Sequence, residues 1–543
     1  MRKRSILWAG LAGLLAAVVV SSSAAATGKL GTAHKAGVFR LSIGAEPPSL
    51  DPGLATDTTS ASILENIYEP VIRLGPGPAL KPLPGAATSW TVKGKTVTLN
   101  LRKSERWTNG QPVVAQDYVY GWLRTLSPEL GADYAYQLFG IVGAEAYNGC
   151  DPAKANCNAL RSKVGIKAVG KYQLVIQLTS AQPWFIQQLS HHSFLPTYKP
   201  AVDKYGNKWT EASNIVTDGP FKLASWKHDA SVTLVKNNQY GGPSPAKLNR
   251  VEMPIIVSGT TMANAFDAGN IDASDSNATP IALIPKYQKT PFWHVYPALG
   301  TYYYGFNVKN ISDVNQRRAM AFAIDRKAII KFITRAGQVP AKGFTPIGIA
   351  GGPTIDKNSF MPATHQTAKA KAFWAKVASP KKSINLYINN APGHINIATA
   401  IQAFWQRDLG VNVSIKTQEW KQYLEFLGPP PNADVDVYRL GWIYDFPDAY
   451  NGLSLWTCDS GNNNTNWCNK KFDSLVKQAE NVPNFDKRVA LYQQAENILT
   501  GPNGDLPIMP IYWYTFTHLI KKNVHNFFTA PQGIYDLTKV TVS

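Results

Sequence analysis

The stretch SWTVKGKTVTLNLRKSERWTNGQPVVAQDYVYGWLR, Ser89–Arg124, joins two kinds of local structure. Within it, TVTLNL (Thr96–Leu101) alternates polar and apolar side chains, which predicts a half-buried β-strand. The turn sequence KGK, residues 93–95, precedes this strand and predicts a hairpin with SWTV. Tyr120 and Trp122 follow on a predicted helix. A hairpin that leads into a helix indicates a fold that mixes strands and helices.

The same mixture continues along the chain. The clearest further segments are a strand, YQLVIQL (172–178), and three helices, SDVNQRRAMAFAIDRKAIIKFI (312–333), KFDSLVKQAEN (471–481) and NFDKRVALYQQAENILTG (484–501). Ser312 or Asp313 and Asn484 are predicted N-caps, and Gly501 is a predicted stop. The 543 residues exceed what one hydrophobic core usually serves, so we expect an α/β protein of two or three domains.

The N-terminus has the pattern of a secretory signal peptide. Basic residues at positions 2–4 precede an apolar run, Ile6–Val20, and small residues at 24–26 suit cleavage after Ala26. A membrane anchor is the alternative, but the run is short for a spanning helix. No cysteine lies near the cut, so we expect an exported protein, periplasmic or freely secreted, without a lipid anchor.

The four cysteines form two close pairs, Cys150 with Cys157 and Cys458 with Cys468. An even count in an exported chain predicts two disulfides. Metal binding is the alternative, but it needs further His or Cys at finger-like spacing, which the sequence lacks. We therefore expect neither a metal nor another cofactor.

Composition excludes some partners and suggests others. The net charge is +19, or +16 once the three basic residues of the signal are subtracted. An exported protein is not expected to meet nucleic acid, so the charge fits anionic membranes, wall polymers or a generally basic soluble surface. The 15 Trp, 24 Tyr and 21 Phe suit pockets for amphipathic ligands.

Catalytic patterns are missing from the sequence. It contains no G-x-S-x-G elbow, H-E-x-x-H, P-loop or G-x-G-x-x-G. His191-His192 is the one adjacent histidine pair, and neighbouring side chains point apart, which favours a surface or partly buried position. The acid pairs 434/436 and 445/448 have no neighbour that indicates acid–base work. We therefore expect a protein that is not an enzyme; an extracytoplasmic peptidase is the weakest alternative.

A second stretch, DVDVYRLGWIYDFPD (Asp434–Asp448), begins as a strand and then becomes charged and aromatic. It brings a cation, Arg439, and a carboxylate, Asp445, together with Trp442 and Tyr444 near a turn. This combination predicts a site for a ligand that carries both charges and some apolar bulk.

Several blocks of the sequence resemble one family in the family's own order. The blocks are EPPSLDP (46–52), ENIYEPVIRL (65–74), the opening stretch (89–124), TDGPFKLASWKHDASVTLVKNNQY (217–240), TYYYGFNVKNISDVNQRRAMAFAIDRKAII (301–330) and LYQQAENILTGPNGDLPIMPIYWY (491–514). Together they resemble the peptide/nickel class of bacterial extracellular solute-binding proteins. The subgroup that they are most similar to is the oligopeptide-binding proteins of ABC importers.

The resemblance implies a two-lobed, hinged α/β fold of the periplasmic-binding-protein type II, with a third domain inserted in the first lobe. It implies a domain I of residues 27–70, 200–297 and 511–543, an inserted domain II of 71–199 and a domain III of 298–510. The chain then crosses between lobes near ALGTYYYGFN (298–307) and MPIYWY (509–514), and such paired crossings form a hinge.

The resemblance also implies the site. Asp445 meets the α-ammonium of a peptide, and Gly441 lets the ligand backbone approach and pair like an added strand. The other residues implied are Trp442 and Trp420 as pocket walls, Arg439 and His394 for the peptide carboxylate, and Tyr120, Tyr303 and Thr58 for the ligand backbone. The alternatives are a core position for Tyr120, a salt bridge of Arg439 with Asp436 or Asp445, and a plain loop position for His394.

The sequence also departs from these relatives. Thr334 stands where some of them have a lysine that reads ligand length, with Arg335 beside it, and Gly300 and Ile443 stand where some have a disulfide. The expected partners are a peptide and the permease subunits of an ABC importer, and we expect a monomer. A nickel chelate, haem or sugar ligand in the same fold is the alternative.

Overall fold

A computed structural model describes residues 36–75, 80–352, 361–418, 420–428 and 430–543. The side chains of Trp420 and Lys421 lie outside this description, as does the predicted signal segment, 1–26. The described residues belong to one compact unit.

The hairpin predicted from the opening stretch is confirmed. Strands Ala87–Lys93 and Thr96–Leu101 pair antiparallel, and the connecting Gly94 has a φ of +60°, a conformation that glycine adopts easily. The apolar side of the second strand is buried and the polar side is half-buried, as the alternation predicts. Two further strands, Gln173–Gln177 and Ile166–Ala168, complete a four-stranded sheet.

Helix Ala115–Thr125 follows the hairpin and covers this sheet region. The Asp117 carboxylate accepts a hydrogen bond from the Val114 N–H (2.9 Å) and from Trp107 Nε1 (3.2 Å), which fixes the start of the helix. Trp122 is fully buried, and its Nε1 donates to the carbonyl of Phe194 at 2.9 Å. The helix is therefore anchored by both its first turn and its buried face.

A second four-stranded sheet combines one strand that precedes the first sheet in sequence with three strands that follow it. Its strands, in spatial order, are Val38–Arg40, Arg250–Pro254, Ser231–Lys236 and Phe221–Lys227. The α-helices of residues 36–290 are Thr58–Ile67, Ala115–Thr125, Ala144–Asn148, Cys157–Arg161, Phe185–Gln188, Lys199–Tyr205, Gly259–Asp267 and Ile284–Tyr287, with 3-10 turns at Asp133–Leu138, His192–Phe194 and Gly206–Lys208.

The third sheet has six strands and contains the two longest. Its spatial order is Val339–Pro340, Ile508–Leu519, Trp293–Phe306, Val437–Ile443, Ser383–Asn389 and Asn412–Gln418. We call Trp293–Phe306 the first long strand and Ile508–Leu519 the second long strand. They pair antiparallel, and the register shifts between Pro297 and Thr301 and again between Tyr302 and Tyr303. Such irregularities bend and twist a ladder locally.

The remaining elements are the helices after residue 306 and two short two-stranded ladders. The helices are Val314–Phe322, Arg326–Ala328, the π-helix Ile329–Thr334, Thr367–Trp374, Pro392–Leu409, Trp420–Leu427, Ala449–Leu453, the 3-10 turn Ser454–Trp456, Lys470–Ala479 and Phe485–Thr500. Two-stranded ladders are Ile72–Leu74 with Pro82–Pro84 and Val524–His525 with Thr541–Val542. None of the described helices is long and apolar enough to span a bilayer.

The predicted helix signals have clear outcomes. Asn484 caps Phe485–Thr500, its side chain accepting from the Lys487 N–H, and Gly501 follows the last turn. Asp313 caps Val314–Phe322. The segment predicted as one helix over 312–333 is divided, because Asp325 caps a new helix with its side chain. The disulfides Cys150–Cys157 and Cys458–Cys468 both form, as predicted.

Candidate ligand-binding cavity

A cavity of about 750 Å³ lies between two segments that are distant in sequence. Its lining residues are Tyr134, Tyr136, Gln137, Phe139, Gly140, Thr179, Ser180, Gln182, Trp184 and Gln188 from one segment, and Trp442, Ile443, Asp445, Phe446, Tyr450, Asn451, Ser454, Leu455, Ser460, Asn462 and Glu480 from the other. Seven of these residues are aromatic, and the charged ones are both carboxylates, Asp445 and Glu480. The volume and lining are those of a ligand site.

Asp445 is placed by the chain that follows strand Val437–Ile443. Tyr444 is the first residue after this strand. Its backbone N–H donates to the carbonyl of Leu299 at 2.8 Å and so attaches the start of the loop to the first long strand. Asp448 then caps helix Ala449–Leu453, accepting from the Tyr450 N–H at 3.0 Å. This short helix turns the chain back, so that Asn451 returns to the loop.

The side chain of Asn451 hydrogen-bonds to both Asp445 and Trp442. Its Nδ2 donates to Asp445 Oδ2 at 3.1 Å, and its Oδ1 accepts from the Asp445 backbone N–H at 3.3 Å. The same Oδ1 accepts from Trp442 Nε1 at 2.8 Å. The carboxylate and the indole therefore share one anchor and keep a fixed relative position.

Burial raises the pKa of the Asp445 carboxyl, and polar groups on Asn451, Gln137 and Tyr136 oppose that rise. Asp445 has no Lys or Arg partner among the described residues that line the cavity. A half-buried carboxylate with dipolar but no cationic neighbours in the cavity lining is stabilised by a ligand that brings a positive charge.

The wall opposite Asp445 comes from the turn Asp133–Leu138. Gln188 Nε2 donates to Gln137 Oε1 at 3.0 Å, and Gln137 Nε2 is a buried donor with no hydrogen-bond partner in the described chain. Burial, with Asp445 next in effect, raises the pKa of Tyr134 to about 12 and raises that of Tyr136 further. This wall therefore offers neutral donors around the carboxylate.

Two contacts join the walls directly. Trp184 stacks on Tyr450, with ring centroids 4.1 Å apart and planes 13° apart, and it lies parallel to Phe446 at 6.1 Å. The Gln182 backbone N–H donates to the carbonyl of Glu480 at 3.0 Å. The cavity is therefore closed on one side by an aromatic stack.

Arg439 lies on a face of tyrosines and does not line this cavity. Its guanidinium donates to Asn389 Oδ1 (3.2 Å) and Tyr514 Oη (3.1 Å) and lies 4.4 Å from the centre of the Tyr302 ring. The side chain is 8% exposed, and its Nε has no partner in the described chain. A buried cation held by neutral groups has spare capacity for an anion.

The salt bridge considered for Arg439 is not formed. Asp436 pairs with Lys381 at 2.6 Å, and the carboxylate of Asp445 has Asn451 as its hydrogen-bond partner. Within the described part of the chain, no carboxylate pairs with Arg439.

His394 lies beside this cation, near the start of helix Pro392–Leu409. Its Nδ1 is 3.2 Å from the Tyr302 hydroxyl. Burial, and then the charge of Arg439, lower the pKa of His394 to about 3, so the ring is neutral at physiological pH. His394 thus joins Arg439 in one cluster, on a helix and not in a plain loop.

Strand Val437–Ile443 has one free edge. It pairs along its whole length with the first long strand, but with Ser383–Asn389 only at Val437 and Tyr438. Beyond that point the Arg439 N–H and C=O both bind the Tyr423 hydroxyl, at 3.0 and 2.6 Å. Because alternate residues of a strand turn their backbone groups the same way, Gly441 also directs its N–H and C=O to this edge.

The side-chain face of Gly441 makes a close contact within the protein. A Cβ at this position would lie 2.2 Å from the Tyr514 hydroxyl, so the close approach that this glycine permits is to Tyr514. The side-chain face of Gly441 is therefore filled by protein, and its open backbone edge is what a ligand would meet.

Three other predicted residues lie elsewhere. Tyr120 lines a separate pocket with Arg124 and Arg161, and Lys199 lies over its ring at 5.6 Å. Tyr303 is a core residue between Phe344 and Trp456, because it faces away from the tyrosine face that carries Tyr302.

Thr58 is exposed at the start of helix Thr58–Ile67 and borders a small cleft with Asp275 and Tyr535. The side chain of Trp420 lies outside the described residues. Trp442 and Asp445 are thus the predicted residues that the structure brings together in the cavity.

Comparison with known proteins shows which family this chain resembles. Residues 81–464 match the family model "Bacterial extracellular solute-binding proteins, family 5 Middle". The chain is 32% identical over 508 residues to the oligopeptide-binding protein OppA of Bacillus subtilis (strain 168), covering 91% of each chain.

Two solved structures extend the comparison to the fold. The unliganded open form of MppA, a periplasmic murein tripeptide-binding protein, superposes with a TM-score of 0.79 at 28% identity, covering 94% of this chain and 98% of that one. Haemophilus influenzae OppA in complex with RPPGFSPFR superposes with a TM-score of 0.72 at 26% identity, covering 94% and 99%. The two-lobed α/β fold expected from the sequence is confirmed. The chain therefore belongs to family 5 of the bacterial extracellular solute-binding proteins.

Proposed function

We propose that this chain captures oligopeptides in the cleft that contains Asp445 and delivers them to the permease of an ABC importer. The observation that carries the proposal is the half-buried Asp445 carboxylate, which lines a large aromatic cavity without a cationic partner among the described lining residues. The peptide-binding names of the relatives agree with it. The chain would act by binding alone, with transport energy supplied elsewhere.

Asp445 would accept hydrogen bonds from the α-ammonium of the peptide. Asn451 already orients the carboxylate, so binding of the ligand costs little side-chain entropy at Asp445. A charge-assisted hydrogen bond in a closed cavity is stronger than a surface ion pair, because water screens it less.

The peptide backbone would then pair with the free edge at Gly441–Ile443, beyond the contact of Tyr423 with Arg439. Main-chain pairing of this kind is independent of side-chain identity, and it leaves the side chains to the aromatic walls. Arg439 and His394 would receive the peptide carboxylate, since the guanidinium has an unpartnered Nε and no competing carboxylate in the described chain.

Export and domain motion complete the proposal. The chain would lose residues 1–26, carry no lipid anchor and work as a monomer. Domains I (27–70, 200–297 and 511–543), II (71–199) and III (298–510) would close on the ligand. The register shifts between the two long strands are where we expect the hinge.

The test is calorimetric titration of the mature chain with tripeptides, after co-purified ligand has been removed and identified by native mass spectrometry. Free tripeptides are expected to bind about 100-fold more tightly than their N-acetylated forms, because acetylation removes the charge that Asp445 recognises. Equal affinity for the two forms, or a co-purified nickel chelate, haem or sugar, would contradict the proposal. Turnover of any peptide would revive the enzymatic alternative.

A further inference from the structure

The charge of the cavity is opposite to that of the whole chain. The sequence carries a net charge of +19, yet the described residues that line the cavity include two carboxylates and no Lys or Arg. Burial raises the pKa of Tyr134 and Tyr450, and carboxylates add to these shifts: Asp445 and then Asp57 and Asp133 for Tyr134, and Glu480 and then Asp459 for Tyr450. The field in the cavity therefore favours ligands with a cationic end.

A single α-ammonium accounts for only one of the two carboxylates. Asp445 is oriented by Asn451, whereas Glu480 is held separately, through Oε1, by the Tyr450 hydroxyl at 2.8 Å. No hydrogen bond to Glu480 Oε2 is formed within the described chain. Glu480 thus has a fixed position and an unused acceptor in the same cavity as Asp445.

The wall beside Glu480 suits the rest of a basic side chain. The Tyr450 ring that holds Glu480 is stacked on Trp184 at 4.1 Å, and Phe446 lies parallel beyond it. Flat aromatic faces pack against the methylenes of Lys or Arg and attract the charged end. Neutral aliphatic side chains would also pack here, but they would leave Glu480 Oε2 without a hydrogen-bond partner.

We propose that Glu480 makes this chain select peptides whose first residue is lysine or arginine. The inference rests on the proposed function: Glu480 lines the same cavity as Asp445, so with the α-ammonium at Asp445 we place the side chain of the first residue against the wall at Glu480. Glu480 would bind its terminal cation through Oε2 while Oε1 stays on Tyr450, and the stack of Trp184 on Tyr450 would flank its stem.

The experiment compares Lys-Ala-Ala with norleucine-Ala-Ala, which has the same length of aliphatic stem and no charge. Calorimetry is done on the wild-type mature chain and on Glu480→Gln, whose amide oxygen still accepts from Tyr450. The wild type is expected to bind the lysine peptide about tenfold more tightly, and Glu480→Gln is expected to bring the ratio close to one by weakening only that peptide. Glu145→Gln, at an exposed carboxylate away from the cavity, is the matched charge control.

The outcomes separate the two proposals. Equal wild-type affinity for the two peptides, or a ratio that Glu480→Gln leaves unchanged, overturns the selectivity while peptide binding stands. Binding of neither peptide by the wild type overturns the proposed function and the selectivity with it. Asp445→Asn is expected to weaken both peptides by the same factor, since both carry the α-ammonium, and a loss confined to the lysine peptide would assign the selectivity to Asp445.

Discussion

Asn451 holds Asp445 at two points, with Nδ2 on the carboxylate at 3.1 Å and Oδ1 on the backbone N–H at 3.3 Å. The amide thereby fixes the direction of the carboxylate and the shape of its loop. It also stabilises the ionised form, since its hydrogen bond lowers the pKa of Asp445 against the effect of burial.

Asn451→Ala should therefore weaken peptide binding by about tenfold at pH 7 through loss of orientation. It should also change the pH dependence. Peptide binding requires ionised Asp445, so affinity falls as the pH drops through the pKa of this group, and losing the hydrogen bond moves that fall to higher pH. Calorimetry across pH measures both effects.

Asn462→Ala is the matched control, because Asn462 lines the same cavity and no hydrogen bond joins it to Asp445 within the described chain. A parallel loss of affinity in both variants, without a change in the pH profile of Asn451→Ala, would mean that Asn451 only supports the fold.

Asp445→Asn separates binding from folding. The change should weaken free tripeptides by about 100-fold and leave N-acetylated ones unaffected, because only the free peptides carry the α-ammonium. The unliganded variant should melt at or above the wild-type temperature at pH 7. The sign follows from the raised pKa: burying the ionised carboxyl opposes folding once the pH exceeds the folded pKa. A lower melting temperature with unchanged affinity would contradict both expectations.

The sequence predicts local structure best where one pattern repeats. The hairpin in residues 87–101 follows from strict alternation and one glycine turn, and the helix Phe485–Thr500 follows from its cap. The same alternation places Tyr303 on the strand face opposite to Arg439, against Phe344 and Trp456. In a run of three tyrosines, a step of one residue moves the side chain to the other face, and Tyr302 is the tyrosine beside Arg439.

The rest of the site depends on contacts that no local pattern encodes. Asn451 reaches Asp445 only because Asp448 starts a short helix that turns the chain back. The Asx cap at Asp448 is the signal that could have indicated this turn. Trp184 stacks on Tyr450 through tertiary packing, which one sequence without relatives does not reveal.

Arg439→Met tests the other end of the peptide. Removing the guanidinium should weaken free-acid tripeptides by about tenfold, while C-terminally amidated tripeptides change by less than about twofold. Titration of both peptide forms gives the comparison, with Arg161→Met as an exposed control. An equal loss for acid and amide forms would show that Arg439 supports the tyrosine face and does not receive the carboxylate.

Gly441→Ala tests the packing behind the free strand edge. The new Cβ would lie 2.2 Å from the Tyr514 hydroxyl, which itself binds Arg439 at 3.1 Å, so Tyr514 must move. The free energy of unfolding should fall by about 1–3 kcal/mol. In a Tyr514→Phe background the fall should be about half as large, because the hydroxyl that causes the overlap is gone. Urea denaturation of the four proteins measures this coupling, and additive effects would contradict it.

His518 on the second long strand should make the fold sensitive to acid. The neutral ring satisfies both nitrogens, with Nδ1 on the carbonyl of Ser274 at 2.9 Å and Nε2 against the Thr529 hydroxyl. Burial lowers its pKa from 6.5 to about 4. The unfolded chain therefore binds a proton that the folded chain does not, and stability falls as the pH drops from about 6.5 towards 4.

At pH 5 this one group should reduce the free energy of unfolding by about 2 kcal/mol relative to pH 8. Between pH 8 and pH 5, the free energy of unfolding of His518→Gln should therefore fall by about 2 kcal/mol less than that of the wild type. The variant starts from a lower stability at pH 8, because one ring contact is missing. Urea denaturation at pH 8 and pH 5 measures the difference. His525→Gln, at an exposed histidine in strand Val524–His525, should keep the wild-type loss. An identical loss in wild type and His518→Gln would mean that other buried groups, such as His192 with its pKa of about 4, carry the acid sensitivity.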